Sequence, residues 1–493
     1  MSGSRKVVWN LLSSVGAQVI SWGITLTVMI FMTRALSAAE LGKFTFVGSF
    51  LGLFSVFTGL GTATVIIRDI GHDRNRAEEL LRAGIVLRIP LSIMFSALAV
   101  LVAYATGNPP DTMKMVWAGA VGLIVIAFNE VLYAGLSGKE DIVRQSITGL
   151  LEKFAVAAIL LFILFAHLHY QLWWFTAAGV AVSLLIFVIN ASAFPVLLRN
   201  WGQLRLSTVK YLVMAGLPFF AMYVFRQIYN QVDATAIHYL LPKAIADANV
   251  GWYGTSNKLL GSAIFIPVAL ATVLLPTLSR LHSTDESRFA NSVRRAMGLI
   301  IVAVIPIALP IILVPKFILF GLLHYPVSQY GNSVPIFRIF GCGLILWYVT
   351  QISGLALVVR KQETTMCRIS VVALVLTLLS LIILIPMTYH AYGNGGIGAA
   401  LSDVLVEVYM VFAFGFALPR GFFTSSTFWT ILKVAVAAVP FALLLLFLHG
   451  TLPIISGIIG GIVVYLGLCT VFGCVSRADI NTFTQALAKR KAV

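Results

Sequence analysis

The chain has 493 residues, 59% of them hydrophobic and only 11% charged, with a formal net charge of +16. A soluble domain carries roughly 25% charged residues, so with a mean hydropathy of +0.97 a soluble globular protein is excluded. The positive balance does not point to nucleic acid, because the basic residues sit in short gaps between apolar runs, where membrane topology and anionic headgroups account for them.

Apolar runs matching the roughly 20 residues that cross a bilayer recur along the chain and predict about fourteen helices. In chain order they are 7–33, 43–67, 83–104, 115–135, 146–166 and 172–195, then 210–240, 251–279, 294–322, 333–359, 367–389 and 396–418, and last 428–448 and 453–473. The first run exceeds the roughly 7–15 apolar residues of a signal peptide and no cleavage site follows it, so it is expected to remain as a helix. Positive charge falls in every second gap: Arg68/Arg74/Arg76/Arg82, Lys139/Arg144, Arg199/Arg205/Lys210, Arg280/Arg288/Arg294/Arg295, Arg360/Lys361/Arg368 and Arg420. Positive segments translocate poorly, so these gaps are expected to be cytoplasmic. Both ends join them, with Arg5/Lys6 at the start and Arg477 and Lys489/Arg490/Lys491 at the finish. The opposite gaps are short and built of turn residues, such as Asn108-Pro109-Pro110 and Gly393-Asn394-Gly395. Trp173, Trp174 and Trp252 fall at outer ends of spans and Trp9 and Trp201 at inner ends, where interfacial aromatics belong. Cys342, Cys367, Cys469 and Cys474 lie in or near spans without C-x-x-C spacing, so neither a disulfide framework nor a metal site is expected.

An internal repeat organises the spans. Leu41-Gly42-Lys43-Phe44 opens the second and Val250-Gly251-Trp252-Tyr253 the eighth, and each is followed by a long apolar helix and a basic gap. The offset of about 210 residues corresponds to six spans, an even number, so the repeat is parallel, about an axis along the membrane normal. The expected fold is therefore an all-α integral membrane protein: an N-terminal six-helix bundle (1–209), a C-terminal six-helix bundle (210–420), and two extra helices with a cytoplasmic tail (421–493). A substrate site is expected near the midplane, between the halves.

The stretch Thr33-Arg34-Ala35-Leu36-Ser37-Ala38-Ala39-Glu40-Leu41-Gly42 resembles the signature after the first helix of polysaccharide-transporter flippases. Gly59-Leu60-Gly61-Thr62-Ala63 is similar to their second-helix turn. Val250-Gly251-Trp252-Tyr253, Asn257-Lys258-Leu259 and Leu275-Pro276-Thr277-Leu278-Ser279-Arg280 resemble their eighth helix, and Gly396-Ile397-Gly398-Ala399-Ala400 the start of their twelfth. Ser256 departs from the more frequent Ala. The order and spacing of these motifs resemble a Wzx-type O-antigen or polysaccharide flippase of the multidrug/oligosaccharidyl-lipid/polysaccharide (MOP) superfamily. That resemblance implies two bundles around a V-shaped cavity, alternating access, and a lipid-diphosphate-linked glycan as cargo. It implies the cell inner membrane as location, and a polysaccharide polymerase and chain-length regulator as possible partners in lipopolysaccharide assembly.

Charges inside spans cost roughly 2.5–3.5 kcal/mol each on insertion scales, so they tend to face a cavity and to act there. The seventh span is densest, with Arg226, Gln227, Tyr229, Asn230, Gln231 and Asp233. Arg226, Asn230 and Asp233 share a face, so Asp233 either cancels Arg226 or lines a cavity with it. At 1.5 Å per residue from Lys210, Arg226 lies about 24 Å along, just past mid-membrane. Lys258 and its neighbour Asn257 reach a comparable depth from the outer side, and Arg34 closes the first span there. Together these form a candidate cationic wall for phosphate, with Arg supplying a bidentate fork and Lys a point charge. Arg34 reads equally as an interfacial anchor. Arg88 and Lys153 lie near inner ends and are expected to snorkel, and Glu152 to pair with Lys153. Asp403 and Glu407, one turn apart on the twelfth span, are candidates for carrying a proton or Na⁺, as are Asp233 and Glu130; charge balance for buried Arg is the competing reading. His167, His169, His238, His324, His390 and His449 fall at outer ends or gaps and are expected to be mostly interfacial polar residues.

No cofactor is expected. A glycosyltransferase or ligase needs a catalytic acid or metal site on sizeable outer loops, and this chain has tiny outer gaps and no D-x-D triplet. A cation exporter of the MATE type would want embedded acids and aromatics, whereas bases prevail in the outer half here. The expected activity is flipping of an anionic polyprenyl-diphosphate-linked oligosaccharide; partners are that lipid and the surrounding membrane lipids.

Overall fold

The computed structural model describes residues 3–166, 171–194, 205–418, 425–448 and 450–474, and the regular structure among them is helical. Arg199, Trp201, Arg420, His167, His169, His449 and the basic tail from Arg477 lie outside the described residues. Among the described residues twelve helices are long and apolar enough to cross a membrane, and a thirteenth span is added if two segments bent by 50° are taken as one. The outward surfaces are apolar, with Phe416, Val471 and Phe447 among the most exposed side chains, as lipid in place of water requires.

The first compact unit runs from Met1 to Thr255. It begins with α1 (Gly3–Ala35), α2 (Ala38–Gly59) and α3 (Thr62–His72). Ser37 and Glu40 close a reciprocal capping box that starts α2 immediately after α1. Leu60 and Gly61 take left-handed backbone conformations and break the second span between α2 and α3. There follow α4 (Ala77–Ala105), α5 (Pro110–Gly138), α6 (Ile142–Phe165), α7 (Trp173–Ala191) and α8 (Leu206–Leu240). Pro110 sits in the first turn of α5, where its missing N–H costs nothing. Val65, Ile66 and Ile70 of α3 pack with Leu80 and Leu81 of α4, Val131 and Leu132 of α5, and Leu212 of α8.

By packing, α8 goes with the six spans before it, and the boundary between units falls inside α9 (Lys243–Ala263). The limit at 209/210 follows the repeat, whereas this one follows contact. Two close approaches hold the arrangement. Gly216 of α8 lies against the Leu60 carbonyl at the break. Gly42 of α2 faces the Asp247 carbonyl of α9, and Gly251 of α9 faces the Ala38 carbonyl of α2. The two glycines of the repeat motif are thus reciprocal: each lets the other helix's backbone come close. Pro218 lies inside α8, which bends by 50° between its halves 206–221 and 223–240; proline removes a backbone hydrogen bond and clashes with the preceding turn.

The second unit runs from Ser256 to Val493. The eighth predicted span, 251–279, is broken at Ile264, where α9 gives way to α10 (Phe265–Thr284). Next come α11 (Glu286–Leu313), a π-helical turn (Phe317–Leu322), α12 (Val327–Tyr330), α13 (Ser333–Val359), α14 (Glu363–Tyr392), α15 (Gly395–Ala417), α16 (Ser425–Phe447) and α17 (Thr451–Val471). Asp285 caps α11 through the amides of Ser287 and Arg288. The Arg288 amide and the Ser287 hydroxyl hold its carboxyl below the usual carboxylate range. Helix α13 packs on α10, α11 and α15, and α14 lies along α15, where Gly398 meets the Leu384 backbone. The two C-terminal helices join this unit: α16 packs on α11, and Tyr465 of α17 donates to the Val302 carbonyl at 3.0 Å.

Candidate substrate and ion sites

On α8 the polar side chains divide by face. Arg226 and Asn230 are exposed. Gln227 turns inward and donates to the Gly52 carbonyl of α2 at 2.8 Å and to the Ser55 hydroxyl at 3.3 Å. Asp233 is 4% exposed and its carboxylate is hydrogen-bonded by Tyr253 of α9. Asp233 is therefore tied to α9, and Arg226 stays on the open side. Gln227 serves packing, since it satisfies α2 backbone. Arg34 is exposed at the end of α1, its guanidinium 5.8 Å from the centre of the Phe31 ring. Asn257 and Lys258 belong to the second unit, the first half-buried and the second exposed.

Glu130 is engaged by a residue that the sequence reading sends elsewhere. Arg88 does not snorkel; it is fully buried, donates to Glu130 at 2.7 Å and to the Thr62 hydroxyl at 2.9 Å. Thr62 in turn donates to the Gly59 carbonyl at 2.7 Å. The pair therefore ties α4 and α5 to the break in the second span. The guanidinium finds a carboxylate on α5, so pairing outweighs reaching the interface. Glu130→Gln, which leaves the buried Arg88 without its counter-charge although the Glu130 side chain is 53% exposed, is expected to cost about 1–3 kcal/mol of stability. Thermal unfolding of the purified protein in detergent measures it, and an unchanged midpoint overturns this role.

Glu152 does not use Lys153 either. It accepts from Ser183 at 3.0 Å and Tyr133 at 3.4 Å, and Lys153 is exposed; successive helix residues point in different directions. His238 is not a simple interfacial side chain. It lies 3.1 Å from Asp247 and 2.9 Å from Asn108, and stacks on Phe46 with ring centres 3.6 Å apart. Polar partners on α9 and before α5 compensate its burial, and no sequence pattern pairs residues so far apart.

In the second unit Asp403 is half-buried and Glu407 is 5% exposed. Both lie on α15, and Thr350 of α13 donates to Glu407 at 2.9 Å. The hydroxyl of Tyr348 donates to the Ala263 carbonyl beside the α9–α10 break at 2.6 Å. Ser256 is fully buried and donates to the Ser333 carbonyl at 3.2 Å, a bond that the more frequent Ala lacks.

A family model described as "Polysaccharide biosynthesis protein" matches residues 7–282, more than half of the chain. No curated protein matches in sequence. Among solved structures, a lipid II flippase MurJ in an inward closed conformation superposes with a TM-score of 0.75 at 15% identity, covering 92% of this chain and 97% of that one. An inward-facing multidrug resistance MATE family transporter of the MOP superfamily does so with a TM-score of 0.65 at 14% identity, covering 81% and 94%. These likenesses show the fold.

Proposed function

From the premise that the chain belongs to the polysaccharide biosynthesis protein family, we propose that it is a flippase for a polyprenyl-diphosphate-linked oligosaccharide. It moves this lipid across the cytoplasmic membrane by alternating access and is not an enzyme. The observation that carries the reading is Arg226, an exposed guanidinium deep within a membrane-length helix, with Asn230 one turn on. A lone cation there is costly unless it meets an anion, and a diphosphate matches a guanidinium fork. In this reading Arg34 adds a cation nearer the outer surface, and the second unit offers its own contacts to the cargo, a cation from Lys258 and a neutral amide from Asn257. The fold shared with a lipid II flippase supports a lipid-linked cargo. In this reading the membrane is the cell inner membrane, both termini are cytoplasmic, and the cargo is an O-antigen-type glycan lipid handed to a polymerase and chain-length regulator.

Coupling is assigned to Asp403 and Glu407, the acids on one face of α15. Flipping of a labelled polyprenyl-diphosphate glycan in proteoliposomes, with and without an imposed proton or Na⁺ gradient, tests both cargo and coupling. The expected result is gradient-dependent flipping that loses its dependence in the Asp403→Asn/Glu407→Gln variant. Transport of small cationic compounds without movement of the glycan lipid would favour the second reading. That reading is an ion-coupled MATE-like exporter of small amphipathic molecules, which the buried acids Asp233 and Glu407 recommend.

A further inference from the structure

The end of the first unit where α3 finishes and α8 starts carries a cluster not used by the cargo contacts above. Asp69, 8% exposed, accepts from Arg68 Nε at 2.8 Å and from the Tyr211 hydroxyl at 2.7 Å. Arg68 Nη2 donates to the Tyr211 oxygen at 3.1 Å. Arg76, in the short turn between α3 and α4, sets its guanidinium 5.9 Å from the centre of the Tyr211 ring. One buried acid thus fixes an arginine and a tyrosine, and the tyrosine ring positions a second arginine.

The charge balance favours an anion. Both Asp69 oxygens are used within the cluster, so two guanidiniums face one committed carboxylate. The neighbouring acids are engaged as well: Glu78 pairs with Arg82 at 3.6 Å, and Glu79 accepts from Thr208. Arg68 spends only two of its N–H groups on Asp69 and Tyr211, of the five that a guanidinium offers, and its side chain is 54% exposed. Positive-inside topology requires only charge, which mobile solvated side chains supply; it does not require an arginine pair ordered by a buried acid.

The cluster and Arg226 are carried by the same helix, α8. Tyr211, Met214, Leu217, Tyr223 and Arg226 are exposed along α8, and Tyr223 shares a hydrogen bond with Thr64 of α3 at 3.2 Å. Arg226 lies fifteen residues beyond Tyr211, about 22 Å of helical rise, with the 50° bend between them.

We propose that Arg68 and Arg76, positioned by Tyr211 and Asp69, form a phosphate-binding station that holds the diphosphate headgroup of a lipid at this end of α8 before it reaches Arg226. The assignment rests on the lipid-linked cargo proposed above. The shared chemistry is a diphosphate, carried by a prenyl lipid or free in solution. Full-length protein in detergent, in an Arg226→Ala background that removes the deeper cation, is titrated by calorimetry with farnesyl diphosphate and separately with inorganic pyrophosphate. Both are expected to bind, and Arg68→Gln with Arg76→Gln is expected to weaken both by about tenfold, or 1.4 kcal/mol. The Arg68→Lys/Arg76→Lys variant, which keeps charge but loses the forks, is expected to fall between and serves if the Gln variant does not fold.

Unchanged affinity in the substituted proteins overturns the station and leaves the cargo reading standing. Competition by phosphatidylglycerol as strong as by pyrophosphate also overturns it, since the contact is then with ordinary anionic lipid. Pyrophosphate binding that needs Arg68 and Arg76, without binding of farnesyl diphosphate, upholds the station as a diphosphate site and removes the lipid-linked cargo.

Discussion

Arg226→Ala is expected to slow flipping of the proposed lipid-linked glycan by about 10- to 100-fold and to leave insertion and thermal stability unchanged. A hydrogen bond to a charged group contributes about 1.5–3 kcal/mol, and each 1.4 kcal/mol is tenfold. Stability is spared because Arg226 is exposed, while the neighbouring Asp233 is held by Tyr253. Arg226→Lys recovers part of the rate, because a point charge replaces the fork. Lys258→Ala acts in the same direction from the second unit. The measurement is the initial flipping rate in proteoliposomes at matched protein content. Wild-type rates in both Arg226→Ala and Lys258→Ala sink the cationic-wall assignment.

Gly42→Ala and Gly251→Ala are expected to be the most destabilising single-methyl additions in the first unit. A Cβ at Gly42 meets the Asp247 carbonyl and one at Gly251 meets the Ala38 carbonyl, both backbone atoms that no rotamer change can move. Overpacking costs about 1–3 kcal/mol where side chains can yield, and here α2 and α9 must separate instead, so each substitution lies at about the top of that range or beyond. Gly48→Ala is the control, since open space surrounds that position. Unfolding midpoints in detergent should fall for Gly42→Ala and Gly251→Ala and hold for Gly48→Ala. Equal midpoints in all three would mean that the two helices are not packed this closely.

The repeat motif shows where local pattern and packing meet. Leu41-Gly42 and Val250-Gly251 are legible as a recurring pair, but their purpose is visible only when each glycine is seen against the other helix's carbonyl. The break at Leu60-Gly61 is likewise a glycine signal in one dimension and a seat for Gly216 in three.

The sequence by itself determined the membrane class, the succession of spans and the helical fold, because burial in lipid selects long apolar runs and their backbone bonds are all local. It also marked Arg226, Lys258, Asp403 and Glu407, since a charge inside such a run stands out wherever it points. Tertiary structure alone decided what those charges meet. Arg88 pairs with Glu130 rather than reaching the interface, Asp233 turns to Tyr253 rather than to Arg226, and His238 sits among Asn108, Asp247 and Phe46. The same holds for α8 packing with the spans before it, and for the Arg68–Asp69–Tyr211 cluster. The reason is physical: the cost of a buried charge depends on local residue type and depth, while its compensation comes from helices far away in the chain, whose faces are set only when they pack.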